Sequence, residues 1–374
     1  MQMASVRENL FRVELIRELG SPQSQTWMTE NLSHYEQIFA VTTPTVDAIY
    51  GSQIKKLLGL AGVPLDWHVL ASGESSKTMD AVMNLCQTTK DAGVTRCSAL
   101  VAVGGGVCMD IASFTASMLR RGIAHVRIPT TLIGQIDAGI GLKGGVNFGC
   151  AKNYLGCFYP PAAVAVFPEF LKTLDRGEIE QGVAEMIKVA ITSDPELFEL
   201  IEETGGSSFR EILNNGGSTS HDPIAKAIAA MMCELEQNPY ETKGYERAVD
   251  FGHTIAHPLE AASNFSVRHG DAVAIDMAFS CRLAWRLGLL DESTMTRILR
   301  ILMSVNLPVW HDLLDPNFVR NALKDAANHR GGMVNMVLPV AIGQYSFLKT
   351  SNEISDADLV DTLAWLRQTQ KLKR

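Results

Sequence analysis

The sequence predicts two domains of different class: an α/β domain built on a mostly parallel sheet over residues 1–167, then a mainly α-helical domain over 168–374. Three observations carry this. The 374 residues are too many for one typical domain and enough for two cores. The first half alternates short apolar runs with helical spacing, the pattern of strands joined by helices. From about Pro168 nearly every segment has helical periodicity instead.

In order, YEQIFAVTT reads as a strand and VDAIYGSQIKKLLGLAG as the helix after it. DWHVLASGE repeats the strand signal and KTMDAVMNLCQTTKDAG the helical one. SALVAVGGG is a buried strand ending in three glycines, DIASFTASMLRRG a helix, and HVRIPTT a further short strand. Such sheets bind ligands at the carboxyl ends of their strands, where these glycines lie. Beyond Pro168, helical spacing covers FPEFLKTLDRGEIEQGVAEMIKVAI, PELFELIEE, DPIAKAIAAMMCELEQ, DAVAIDMAFSCRLAWRLG, ESTMTRILRILMSV and NFVRNALKDAAN. MVNMVLPVAIGQYSFLK is expected to form a β-hairpin turning at Gly343, and GGSSFR and NNGGSTSHD to be surface loops.

Composition narrows the partners. With 46% apolar and 20% charged residues the chain is an ordinary soluble globular protein. Its net charge of -8 argues against nucleic-acid or membrane surfaces but leaves an anionic small molecule open, because that responds to local charge. No apolar run reaches membrane-spanning length, and MQMASVRENLFRVEL lacks the apolar core of a secretory signal. The seven cysteines are scattered without a CxxC pair, so a reduced, cytoplasmic setting is expected.

Several stretches carry chemistry. His253 and His257 are four apart, which predicts one helix face for both, with Arg247 and Asp250 just ahead and His269 after a polar loop. Such a set can hold a divalent metal and orient an anion, or be a helix whose histidines are satisfied in the core. Gly104, Gly105 and Gly106, with Asp110, can close backbone amides on a pyrophosphate at a helix N-terminus; a tight strand-to-helix turn explains them equally. Glu74 and Lys77 in SGESSK fit ribose hydroxyls and phosphate, or a solvated loop. Asp137, Lys143, Asn147, Lys152 and Asn153 interrupt a glycine-rich segment, where lysines suit phosphate or carboxylate; Arg121 closes the preceding helix and can add a bidentate contact. Glu185 and Lys188 share a helix face at the edge of an apolar stripe. They form a surface ion pair, unless Glu185 turns toward the histidines and completes a metal site with an open position.

Five of these stretches agree in order and spacing with one family. GGGVxxD, the run RRG…IPTTL…ID…G.K..VN…KN, GxAExIK, R..DFGHT…H and RHG resemble the dehydroquinate synthase-like sugar phosphate cyclases over roughly residues 40 to 345. The resemblance implies an N-terminal Rossmann-like NAD-binding domain, a helical C-terminal domain, and an active site between them holding zinc or another divalent metal such as cobalt. It implies Glu185, His253 and His269 as metal ligands, and Lys143, Lys188, Arg247, Asp250 and His257 as catalytic residues. Arg121, Asp137, Lys152 and Asn153 fall at substrate positions; Glu74, Lys77, Gly104, Gly105, Gly106, Asp110, Thr130 and Thr131 fall on the cofactor side. A homodimer acting on a small sugar phosphate is implied as well.

The departures from the family bear on the substrate. Dehydroquinate synthases read NFGH or NLGH where this chain has Asp250-Phe251-Gly252-His253, and carry a lysine where it has Glu236. Two acids in place of an amide and a lysine repel a substrate carboxylate. The late lysine of those enzymes has His329 and Arg330 as its nearest counterparts here. The pattern ELEQNPYE…ERAVDFGHT resembles instead the cyclases that use sedoheptulose 7-phosphate, which has no carboxylate. Among these, 2-epi-5-epi-valiolone synthases commonly carry proline where His257 stands, and keeping both Asp250 and His257 favours a 2-epi-valiolone synthase. The implied chemistry is transient oxidation of a ring carbinol by NAD, phosphate elimination, re-reduction, ring opening and intramolecular aldol closure. The alternatives are a divergent 3-dehydroquinate synthase and a metal- and NAD-dependent polyol dehydrogenase.

Overall fold

A computed structural model describes residues 11–149, 151–205, 213 and 222–372. Most of the two loops GGSSFR and NNGGSTSHD therefore lies outside the described residues. The chain divides into two compact units that meet in sequence at Phe170 and Leu171.

The first unit is a six-stranded parallel sheet in the order β1-β8-β5-β4-β2-β3. Its strands are β1 (Arg12–Leu15), β2 (Ile38–Thr42), β3 (Leu65–Val69), β4 (Ala99–Gly104), β5 (Ala124–Pro129) and β8 (Ala163–Val166). Between β5 and β8 the chain leaves the sheet for an antiparallel hairpin, β6 (Lys143–Phe148) and β7 (Ala151–Phe158). The sheet is buried on both faces, as parallel sheets are. Val101 and Val103 of β4 join a core with Trp27, Leu32 and Ile54 from helices α1 (Pro22–Leu32) and α2 (Pro44–Leu58). Leu100 and Ala102 join the opposite core, with Val82, Leu85, Ile111 and Ala112 from α3 (Met79–Asp91) and α4 (Gly106–Met118). The period of two in the strand thus feeds two separate cores.

The second unit is helical. The helix α5 (Arg176–Thr192) packs against the helix His269–Arg286, and both are buried over most of their length, so neither shows a simple amphipathic stripe. Asp175 caps α5 by accepting from the Glu178 N–H at 2.9 Å. The hairpin β9 (Met336–Ala341) and β10 (Gln344–Leu348) forms as expected, with Gly343 at φ 79° in its turn. Among the described residues no helix is long and apolar enough to cross a membrane.

One local expectation fails. His253 and His257 do not share a helix: that helix is Ala256–Ala262, and His253 lies in the turn before it. Gly252 sits at φ 74°, which an α-helix cannot contain. Pro258 has no N–H to donate, so it is tolerated in the first turn and the helix starts just before it.

Candidate active site

In the helical unit three side chains converge. Glu185 Oε1 lies 3.1 Å from His269 Nε2 and 3.7 Å from His253 Nε2. One ligand atom from each residue falls within 4.8 Å of the others. Each imidazole is held by its other nitrogen: His253 Nδ1 to Phe251 O and His269 Nδ1 to Glu260, both at 2.9 Å. Protons at the two Nδ1 positions leave both Nε2 lone pairs for a metal, the usual outer arrangement of histidine ligands. Neither Glu185 oxygen has a well-aligned hydrogen-bond donor, although the residue is wholly buried. Two imidazoles and a buried carboxylate fit a tetrahedral metal with an open fourth position.

Electrostatics agree with that fit at Glu185 and His253, while His269 must lose a proton to bind. Burial alone would raise the Glu185 carboxyl, but the Lys188 ammonium at 2.5 Å and the two imidazoles outweigh it and hold it well below the usual range. Burial lowers His253 to about 4, with Lys188 adding to the effect, so this imidazole is neutral. Burial also opposes charge on His269, but hydrogen bonds to Glu185 and Glu260 push it up to about 9. The Glu185–Lys188 pair is therefore not at the edge of a surface stripe: the two are 0% and 2% exposed.

Around this centre stand the other histidine and two arginines. The exposed His257 has its ring 5.2 Å from that of His253 and 6.1 Å from that of His269. Asp250 lies one tight turn ahead of His253, whose N–H donates to Asp250 O at 3.0 Å. Its carboxylate accepts from Arg247 Nη2 at 2.6 and 2.7 Å and from Arg330 Nη2 at 3.1 Å. Arg247 also pairs with Glu241. Glu236 is not brought into this network: it stands exposed near the end of the helix Pro223–Gln237.

The α/β unit gathers a second cluster. Lys77, 4% exposed, pairs with Asp110 at 2.5 Å and donates to Asn153 Oδ1. Asn147 donates to Glu74 at 2.9 Å and accepts from the Asn153 N–H at 2.9 Å. Burial raises the Asp110 carboxyl, against the pull of Lys77. Gly105 precedes α4 and offers no side chain to its first-turn N–H groups, so an anion can take them. Gly104 and Gly105 answer first to packing: a Cβ on Gly104 would come 2.7 Å from Cys108 Cβ, and one on Gly105 2.9 Å from Thr131 Cγ2. Only at Gly106 is the neighbour, Ala138 at 3.6 Å, at ordinary contact. Thr130 donates its N–H to Gly104 O at 2.9 Å, which ties the two loops together, and Thr131 accepts from Gly134 N at 3.1 Å within its own loop.

The lysine-bearing segment is not a loop. Asp137 sits in a turn of π-helix, Gly134–Ala138, while Lys143 opens β6 and Lys152 and Asn153 lie in β7. Arg121 is exposed beyond the C-terminal end of α4. A 13-residue helix, about 20 Å at the usual rise, separates it from the glycine turn, so it does not join this cluster.

Sequence reasoning missed three groups. Glu260 is 3% exposed and orients His269; its signal, three residues after His257, looks like plain helix spacing. Asp276 is buried and accepts from Ile255 N at 2.6 Å and Ala256 N at 3.2 Å, capping the helix that carries His257. Arg127 is wholly buried, and the charge of Asp110 favours its guanidinium. It donates to Ser113 Oγ at 2.8 Å, His125 Nε2 at 3.1 Å, Gly139 O at 3.3 Å and Gly141 O.

This pairing of a parallel-sheet unit with a helical unit carrying a His/His/Glu centre defines a class, and comparison with known proteins names it. The family model described as 3-dehydroquinate synthase N-terminal matches residues 67–181, and that described as 3-dehydroquinate synthase C-terminal matches 182–328. The chain belongs to the 3-dehydroquinate synthase family and is a sugar phosphate cyclase. A 2-epi-5-epi-valiolone synthase of Actinomyces sp. is 37% identical over 335 residues, 88% of this chain and 87% of that protein. A 3-dehydroquinate synthase of Caldanaerobacter subterraneus subsp. tengcongensis is 36% identical, covering 84% of this chain and 87% of its own. Among solved structures, ValA, the 2-epi-5-epi-valiolone synthase from Streptomyces hygroscopicus subsp. jinggangensis 5008 with NAD+ and Zn2+ bound, superposes with a TM-score of 0.89. It is 35% identical, with 99% of this chain and 100% of that one covered.

Proposed function

We propose that this enzyme is a sedoheptulose 7-phosphate cyclase that releases phosphate and closes the carbon chain to 2-epi-valiolone. Overall identity does not choose the substrate, since relatives named for two different reactions stand at 37% and 36%. The observation that carries the reading is Asp250, a fixed carboxylate one turn from His253, where a substrate carboxylate would meet like charge. Residues 1–167 would bind NAD through Glu74, Lys77, Gly104 to Gly106, Asp110, Thr130 and Thr131. Residues 168–374 would bind the metal, zinc by likeness to ValA, through Glu185, His253 and His269. Bound there, NAD supplies a reversible hydride acceptor and the metal polarises the carbinol oxygen.

The remaining work falls to side chains. Lys188 keeps Glu185 ionised, and Phe251 O and Glu260 keep both imidazole protons on Nδ1. Lys143, Lys152 and Asn153 suit the leaving phosphate, held on a hairpin rather than a loop. His257, exposed beside His253 and His269, would carry a proton at an imidazole nitrogen. We include the homodimer in this proposal, which sedimentation tests.

The experiment offers purified protein NAD, zinc and either sedoheptulose 7-phosphate or the carboxylate-bearing heptulosonate phosphate. Phosphate release from the former alone, without accumulating NADH, is expected; release from the latter overturns the substrate, and net NADH means a dehydrogenase. NMR of the product then reads the epimer. The names of the valiolone synthases at 36–38% identity favour 2-epi-5-epi-valiolone, while His257 in place of proline favours 2-epi-valiolone.

A further inference from the structure

We infer that Asp250 is a built-in carboxylate filling a two-arginine carboxylate receptor, and that it excludes carboxylate-bearing substrates by occupying that receptor, not by repulsion alone. The inference rests on the reading of the active site given above and deepens it. Both Asp250 oxygens are engaged: Oδ1 by Arg247 Nη2, and Oδ2 by Arg247 Nε and Nη2 and by Arg330 Nη2, all between 2.6 and 3.1 Å. This is the fork geometry with which guanidinium groups bind a free carboxylate. The three side chains are only 10–15% exposed, so the charges are largely out of water.

Each arginine is also fixed without Asp250. Arg330 Nη1 donates to Val334 O at 2.7 Å and to Asn335 O at 3.3 Å. Arg247 is paired with Glu241, from the turn that follows the preceding helix. Neutralising Asp250 therefore leaves the two cations in place. The two arginines, Asp250 and Glu241 together sum to zero charge, and an amide at 250 makes the group +1. A largely buried cationic pair without its anion favours a ligand that brings one. Asp250 shares its charge with Arg247 and Arg330, so occupation of the receptor adds to the repulsion.

The test measures dissociation constants of the full-length zinc- and NAD-loaded enzyme for sedoheptulose 7-phosphate and the heptulosonate phosphate, which share the phosphate. In D250N the affinity ratio should move at least tenfold toward the carboxylate-bearing sugar, and D250N/R330M should lose that gain. D250S serves in the same way if D250N folds poorly, as checked by zinc content and thermal melting. A ratio within twofold of wild type in a folded variant, or a gain that survives R330M, overturns the inference. Wild-type turnover separates the two ideas. If wild type uses sedoheptulose 7-phosphate and the ratio does not move, only this inference fails; if wild type uses the heptulosonate phosphate, the proposed function fails.

Discussion

Replacing Glu260 tests whether the His/His/Glu cluster is a metal centre. In Glu260→Ala the His269 Nδ1–H loses its 2.9 Å acceptor in a place where the removed side chain was 3% exposed, so little water can substitute. The imidazole is then free to carry its proton on Nε2, the nitrogen that faces Glu185, and must change tautomer to bind metal. Loss of an outer partner of this kind costs about 10–100-fold in metal affinity, or about 1.4–2.7 kcal/mol. Glu260→Gln keeps an acceptor oxygen but loses the charge, so its loss should fall near the tenfold end. Proton competition modifies the reading. Against the opposing effect of burial, Glu185 and Glu260 hold His269 up to about 9, so the wild type must expel a proton to bind metal at neutral pH. The variant has less to expel, which masks part of the loss at pH 7. Zinc affinity by chelator competition near pH 9 removes the mask. An alanine variant that melts like wild type and binds zinc within twofold of it at that pH would refute the assignment.

Further outcomes follow from other contacts. His269→Ala should abolish both zinc content and turnover, and retained zinc in metal analysis would overturn the ligand set. Gly105→Ala should cost about 1–3 kcal/mol by overpacking against Thr131 Cγ2; urea unfolding should show much of that restored by adding Thr131→Ser, which deletes the methyl. Asp276 is raised by burial from 3.8 to about 6, hydrogen bonds from Ile255 and Ala256 notwithstanding. The native state therefore holds this proton more tightly than the unfolded chain, and stability is lost as pH rises from about 4 to about 6, by about 3 kcal/mol at most. Asp276→Asn should flatten that slope in unfolding measured at pH 4.5 and 7; an unchanged slope counts against it.

What the sequence revealed and hid has physical causes. The strands β2 and β4 were legible because a parallel sheet buried on both faces demands continuous apolar runs, as in IFAVT and ALVAVG. The four-residue strands RVEL and AVAV are too short to signal. The hairpin β6–β7 was hidden by its own packing. Gly144 leaves room for Ser113 of α4, while Gly145 and Gly156 let the two strands approach, their Cβ atoms otherwise meeting Leu155 O at 2.7 Å and Gly144 O at 2.6 Å. Glycine there erased the alternation that marks a strand. The candidate set Glu185, His253 and His269 was singled out through a family resemblance, because its members are far apart in sequence. The geometry that joins them, a Gly252 turn in place of the expected helix, leaves no periodic trace.

Arg127 grips the chain at Gly139 and Gly141 through main-chain oxygens rather than side chains. A fastening of that kind is indifferent to most residue identities along the strap it holds. Ile140 and Leu142 could drift within apolar types while the path from Asp137 to Lys143 stayed the same. Gly139 is an exception, since a Cβ there would meet Gly134 O and Pro129 Cβ. Descendants of this sequence are thus free to retune the neighbourhood of those two charged residues by substitution, but a change of length between them would pull the strap off its peg.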